Sequence, residues 1–258
     1  MHIWAVANQK GGVGKTTTVV SLAGLLADAG NRVLMMDLDP HGSLTSYFRF
    51  DPDSVEKSAY NLFQTSGKIP ADLPASLIIK PGHPNFSLLP ASTALATLER
   101  HAQAQGGMGL VISKTLAILW DEYDYVLIDS PPVLGVLMIN ALAACKQLII
   151  PVQTEFLAIK GLERMVRTLT MINRARKRPV PFLIVPTLFD RRTQASNKSL
   201  RSLKDTYDDL VWHSVIPVDT KLRDASTAGI APSALDPNAR GIKAYESLME
   251  SLLNPVGQ

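Results

Sequence analysis

The chain of 258 residues contains one cysteine, Cys145. It therefore holds no internal disulfide, and one chain cannot supply a cysteine cluster for zinc or an iron–sulfur centre. No apolar run approaches the roughly 18–20 residues that a membrane-spanning helix needs. Charge is sparse too: charged residues make up 19% of the chain and the net charge is +3. So small an excess does not by itself mark a nucleic-acid binder. Repeats and low-complexity tracts are absent, and an apolar share of 46% excludes a disordered chain. The opening Met1-His2-Ile3-Trp4-Ala5-Val6-Ala7 has no basic start and runs straight into a strand pattern, unlike a secretory signal. The closing Leu253-Asn254-Pro255-Val256-Gly257-Gln258 carries no lipidation signal. The expectation is a soluble, cytoplasmic protein without stable membrane binding.

What is present is an alternation. Short apolar runs at 3–7, 32–36, 125–128, 147–152, 181–186 and 211–216 read as buried strands. Amphipathic stretches at 15–29, 92–100, 110–121, 136–144, 157–174, 195–208 and 241–252 read as helices. Strand–helix alternation predicts an α/β fold with a mostly parallel, twisted sheet and helices on both faces. One domain spanning 1–258 is expected, with 50–90 as an irregular insertion on it. There Asp51-Pro52-Asp53, Leu73-Pro74 and Lys80-Pro81-Gly82-His83-Pro84 interrupt the pattern.

The most specific feature is Lys10-Gly11-Gly12-Val13-Gly14-Lys15-Thr16-Thr17, which follows the first strand and opens the first helix. That is the context of a phosphate-binding loop. Glycines let backbone amides converge on phosphate oxygens, and the helix N-terminus adds positive potential. Lys15 would reach the β- and γ-phosphates, and the Thr16 hydroxyl would serve Mg2+. The ordinary pattern has Gly five residues before the second one; here Gln9 stands there, followed by Lys10. Two further candidates are acids at strand ends. Asp37-Leu38-Asp39-Pro40-His41-Gly42-Ser43 follows the run at 32–36, and Asp129-Ser130-Pro131-Pro132 follows the run at 125–128. Ligands of parallel α/β sheets bind at this end of the strands, and a carboxylate there can hold Mg2+ directly or through water.

The loop resembles the deviant Walker A loop of the ParA/MinD family of P-loop ATPases. The resemblance runs from residue 4 to about residue 252 and implies a three-layer P-loop NTPase fold. By resemblance, Lys10 reaches across a two-fold interface to the partner protomer's phosphates, so that ATP joins two subunits into a sandwich homodimer and ADP releases it. Asp39 then orients or deprotonates the attacking water, and Asp37 supports the Mg2+ shell with Asp129 and Thr16. His41 departs from the family's usual Gln. Lys10, Lys15 and Asp39 are the implied catalytic residues. The adenine is implied to lie on backbone around Pro186-Thr187 and Pro217-Val218-Asp219. Segments 37–48, 153–165 and 186–196 are most similar to a chemotaxis-associated, ParC-like branch. That likeness implies adaptor partners in chemotaxis arrays or at a polar landmark, and a protein concentrated at the cell pole.

Absences separate the sister groups. Nitrogenase iron proteins need two cysteines, iron–sulfur scaffold ATPases a Cys-x-x-Cys, and bacterial tyrosine kinases a terminal tyrosine cluster. The last stretch, 241–252, mixes Glu246 and Glu250 with Lys243 and is expected to pack on the core rather than lie on membrane. Arg191, Arg192, Lys198, Arg201, Lys204, Lys221 and Arg223 are candidates for non-specific DNA contacts, but Asp190, Asp205, Asp208, Asp209 and Asp224 interrupt them. A solvated mixed face is the expected reading. A segregation ATPase on DNA and a small-molecule ATP-dependent enzyme remain the alternatives.

Overall fold

Runs rich in Val, Ile, Leu and Met, apolar on both faces, become parallel strands because only such strands can be covered by helices on both sides. The computed structural model describes residues 1–65, 68–101, 108–174 and 179–254. Its strands are β1 (His2–Val6), β2 (Val33–Asp37), β3 (Phe86–Leu89), β4 (Tyr125–Asp129), β5 (Gln147–Gln153) and β6 (Phe182–Thr187). They form a single sheet in the order β3-β2-β4-β1-β5-β6, with every pairing parallel. The α-helices are α1 (Lys15–Asp28), α2 (Ser43–Tyr47), α3 (Ala59–Phe63), α4 (Leu73–Ser76), α5 (Leu95–His101), α6 (Val111–Ile118), α7 (Val136–Ala144), α8 (Phe156–Arg174), α9 (Gln194–Tyr207), α10 (Thr220–Ala228), α11 (Pro232–Leu235) and α12 (Arg240–Leu253).

Strand alternation divides the core in two. On one face Val6, Met35, Leu127 and Ile149 pack with α1 and with Ile242, Tyr245 and Leu248 of α12. On the other, Ala5, Met36, Ile128 and Ile150 pack with Leu116 of α6, Leu137 of α7 and Leu162 and Met165 of α8. The three layers are those expected. The last helix is also core packing: the Tyr245 hydroxyl lies 3.0 Å from that of Thr18 on α1. Among the described residues no helix is long and apolar enough to cross a membrane.

Two expectations change. The run at 211–216 is not a strand. Trp212 N and Ile216 N donate to Ile184 O and Pro186 O at 2.8 Å each, but a bend at His213-Ser214 breaks the ladder between them. The second change lies within 50–90: residues 86–89 form β3, an edge strand hydrogen-bonded to β2 over four residues. The short helices α2, α3, α4 and α11 are too brief to show a period in sequence.

α1 sits close to the segment that enters α11. A Cβ added at Gly24 would meet Ala231 Cβ at 2.8 Å and Ser233 Oγ at 2.9 Å. Gly24→Val is therefore expected to overpack this contact by about 1–3 kcal/mol. At roughly 2–4 °C per kcal/mol for a chain of this size, thermal unfolding should show a drop of several degrees; an unchanged midpoint would mean that α1 does not need this approach.

Candidate functional site

Three neighbouring strands end together. In the register of β1, β4 and β2, Val6 stands beside Asp129, and Asp129 beside Asp37. Register partners point to the same face, which here is the face covered by α1. The two carboxylates thus lie beside the loop 10–17 that joins β1 to α1.

The loop is held from several directions. Gly12 and Gly14 take φ of 74° and 90°, a region costly for other residues. Asn8, fully buried, donates from Nδ2 to Pro151 O at 2.8 Å and accepts the Lys10 amide at 3.0 Å. Thr187 Oγ1, at the end of β6, donates to Val13 O at 2.8 Å. Lys15 is buried, with Nζ 3.4 Å from Lys10 O, so its ammonium stays within the loop. Lys10 points elsewhere. Its ammonium pairs with Glu155, just before α8, and a Cβ on Gly161 of α8 would lie 3.6 Å from the Lys10 Cβ.

The acids are dry. Asp129 Oδ2 accepts the Thr16 hydroxyl at 2.6 Å, while Oδ1 is buried with no hydrogen-bond partner among the described residues. Asp37 Oδ2 accepts Thr45 N at 2.8 Å and Thr45 Oγ1 at 2.7 Å, and Oδ1 accepts Asp39 N at 3.1 Å. Burial pushes both carboxyls above the usual carboxylate range; for Asp129 the neighbouring charge of Asp37 adds to it, and for Asp37 the Thr45 bonds oppose it. An orphaned buried oxygen beside a threonine hydroxyl and a second carboxylate is the donor set of a hard divalent cation. Thr16, Asp129 and Asp37 fit Mg2+.

Asp39 is largely buried, and Oδ1 accepts the His41 amide at 3.0 Å and lies 2.9 Å from His41 Nδ1. Among the described residues no hydrogen bond reaches its Oδ2. The implied adenine segments come together as well. Phe189 N donates to Ile216 O and Val218 N to Phe189 O, each at 3.1 Å, which zips 186–189 against 216–218. The side chains there are already engaged: besides Thr187, Asp219 caps α10 through Lys221 N at 3.0 Å and holds Gly241 N, in the first turn of α12, at 2.8 Å. What remains for a base is backbone and Val218.

Thr45, Asn8 and Glu155 were not singled out for these contacts. Asn8, a polar residue directly after an apolar strand, had a signal; Thr45 had none, because its partner lies eight residues away across a turn. The candidate basic surface is paired with acids at two of its seven positions. Arg192 pairs with Asp190 at 2.8 Å, Lys221 lies 3.7 Å from Asp224, and Lys204 donates to His213 O at 3.2 Å.

A family model described as an AAA domain matches residues 1–181. The sporulation initiation inhibitor protein Soj of Bacillus subtilis is 32% identical over 251 residues, 97% of each chain. The chromosome-partitioning ATPase Soj of Treponema pallidum is 32% identical over 97% of this chain and 96% of its own. Among solved structures, a cobyrinic acid a,c-diamide synthase from Mycobacterium smegmatis with bound ADP and magnesium superposes with a TM-score of 0.81. It is 34% identical over 98% of this chain and 94% of that one. A putative plasmid partition protein from Borrelia burgdorferi bound to AMPPNP has the same TM-score at 26% identity, over 98% of each chain. With relatives of this kind matched nearly end to end, the chain belongs to the ParA/MinD family of P-loop ATPases, the family of the Soj proteins.

Proposed function

We propose that the protein is an ATP-gated dimerising switch that positions a cellular cargo, and that hydrolysis resets it. ATPase activity with ATP, ADP and Mg2+ goes with the family. The observation that carries the switch is the division between its two lysines. Lys15 stays in its own loop, whereas the Lys10 ammonium leaves the loop for Glu155. A cation parked outside its own phosphate site suits a role on the phosphates of a second copy, as a deviant Walker A loop requires. Lys15 and the amides of 11–17 would hold the ATP phosphates, and Thr16, Asp129 and Asp37 would hold Mg2+. That ion, when bound, supplies charge to the β- and γ-phosphate oxygens. Asp39 would place a water in line with the γ-phosphorus through its free Oδ2, with His41 fixing the other oxygen. Adenine would rest on the backbone of 186–187 and 217–219. The likeness of 37–48, 153–165 and 186–196 to the chemotaxis-associated branch supports arrays at the cell pole as the cargo. A segregation ATPase that binds DNA is less favoured, because two of the seven candidate bases, Arg192 and Lys221, are paired with acids and further acids are interspersed among the rest.

A second reading has one observation in its favour. The 34%-identical solved structure carries the name of a diamide synthase, a small-molecule enzyme. Stimulation of ATP turnover by a metabolite, without a change in oligomeric state, would select it.

Light scattering separates the two. Asp39→Ala should be a monomer with ADP and a dimer with ATP. Adding Lys10→Ala should keep ATP binding and abolish the dimer, and Lys15→Ala should weaken ATP binding by about tenfold or more, the loss of a charge-assisted contact. An Asp39→Ala mass that ignores the nucleotide would remove the switch.

The two buried carboxylates also predict a pH effect. Their folded values lie above the unfolded ones. Their contribution to stability is therefore full below the unfolded value near pH 4 and declines as pH rises through the folded values. Near pH 8 the nucleotide-free protein carries this burden, and Asp129→Asn relieves it. The variant should melt higher than the parent at pH 8, by roughly 2–4 °C for each kcal/mol gained, and less so at pH 5. It should also lose the extra stabilisation that Mg2+ gives to ATP. Equal midpoints at pH 8 would show that Asp129 is not strained by burial.

A further inference from the structure

The outer face of α8 concentrates the charge of the molecule. The helix carries Lys160, Arg164, Arg167 and Arg174 against Glu163 alone, so it accounts for the whole net charge of +3; the other 22 cations and 22 acids cancel. Positions 160, 164, 167, 171 and 174, at alternating steps of four and three, form one stripe along a helix. Lys160 is paired with Glu163 at 2.7 Å. Among the described residues the three arginines have no ion pair. They rim a groove of about 460 Å³ that Met171, Thr168 and Thr170 complete. Met171 is 61% exposed between Arg167 and Arg174 on the stripe, and Phe156 and Leu157 are 67% exposed at the start of the same helix.

Cations around an exposed methionine define the ligand's chemistry. Arginine side chains lay apolar stems along a surface and keep their guanidinium groups at its edge, so this groove has an apolar floor and a cationic rim. A phosphodiester backbone would use the rim and leave the floor wet, because phosphate contacts are polar and charged. A peptide with carboxylates flanking an apolar side chain would use both, and arginine forks suit carboxylates bidentately. Met and Arg are also side chains that protein interfaces enrich.

The groove backs onto the phosphate loop. Thr168, one of its lining residues, accepts Gln9 Nε2 at 3.2 Å, and Gln9 precedes Lys10. We propose that the outer stripe of α8 is the docking surface for an acidic, amphipathic segment of a partner protein, with carboxylates on Arg164, Arg167 and Arg174 and an apolar side chain on Met171. The bound segment then sits one side chain away from the entry to the phosphate loop. This surface lies outside the nucleotide site.

The probe is a short fluorescein-labelled peptide of Glu and Leu at helical spacing, titrated by anisotropy into the full chain with ADP. Control peptides replace every Leu by Ser or every Glu by Lys, and a duplex DNA of equal charge serves as competitor. The Glu/Leu peptide should bind, and neither control should match it. Arg164→Ala with Arg167→Ala, and separately Met171→Ser, should each weaken it by about tenfold or more, as loss of an interface anchor does. Both variants should keep the parent's melting midpoint and basal ATP turnover. Absence of binding would overturn the proposal. So would equal binding of the Glu/Ser peptide together with an indifferent Met171→Ser, which would reduce the stripe to bare charge. Displacement by duplex at lower concentration than unlabelled peptide would overturn it as well, in favour of a nucleic acid.

Discussion

Two carboxylates buried side by side are the constraint around which this fold is arranged. Asp37 and Asp129 are register partners at the ends of β2 and β4, and buried like charges repel and resist ionisation. Such a pair persists because neighbours supply hydrogen bonds and the raised pKa values let protons, or a bound cation, offset the remaining charge. Thr45 gives Asp37 two donors, and its hydroxyl also accepts Ala91 N at 2.9 Å, just beyond β3. The edge strand is thereby tied to the acid it stands near. Thr16 gives Asp129 one donor and leaves the second oxygen orphaned. Under the proposed function, Mg2+ with a nucleotide phosphate would supply the remainder. The strain of the nucleotide-free site and its affinity for Mg2+ are then one property, because a group that binds only the folded state stabilises that state.

The phosphate loop was legible because its chemistry is local. Glycines, a lysine and a threonine must occur consecutively to wrap a phosphate, so their spacing appears in the sequence itself. The sheet was legible for a similar reason: a strand covered on both faces must be apolar throughout, and five runs of that kind became strands. β3 was less so, since four residues amid prolines resemble any buried loop segment. The run at 211–216 misled for the opposite reason. It is apolar at Val211, Trp212 and Ile216 because it is buried against the sheet, and burial alone does not make a ladder. A bend at two polar residues limits it to isolated bonds.

What the sequence could not show is which polar side chains are occupied. Thr187 and Asp219 stand where an adenine pocket was expected, and each is committed to structure: Thr187 to the loop carbonyl of Val13, Asp219 to the amides that begin α10 and α12. Nothing in the residue types separates a free carboxylate from a helix cap. The same holds for Arg192 and Lys221, whose acidic neighbours in sequence proved to be neighbours in space. Acids interspersed among bases predicted that outcome in kind, although not pair by pair.

α8 joins these themes. Its inner face is apolar and packs Leu162, Met165 and Leu169 into the core, which holds the helix firmly on the sheet. Glu155, one residue before its start, receives Lys10, and Thr168 on its fourth turn receives Gln9. Two consecutive residues at the mouth of the loop are therefore bound to one rigid element. Moving Lys10 to the phosphates of a second copy means breaking its pair with Glu155, and that pair is partly exposed to solvent. An exposed ion pair contributes little, typically under about 1 kcal/mol, so it can hold the lysine in place without preventing its release. A deeply buried partner would have made Lys10 a structural residue. Under the proposed switch, the modest exposure of this pair lets the same lysine rest on one surface and act on another.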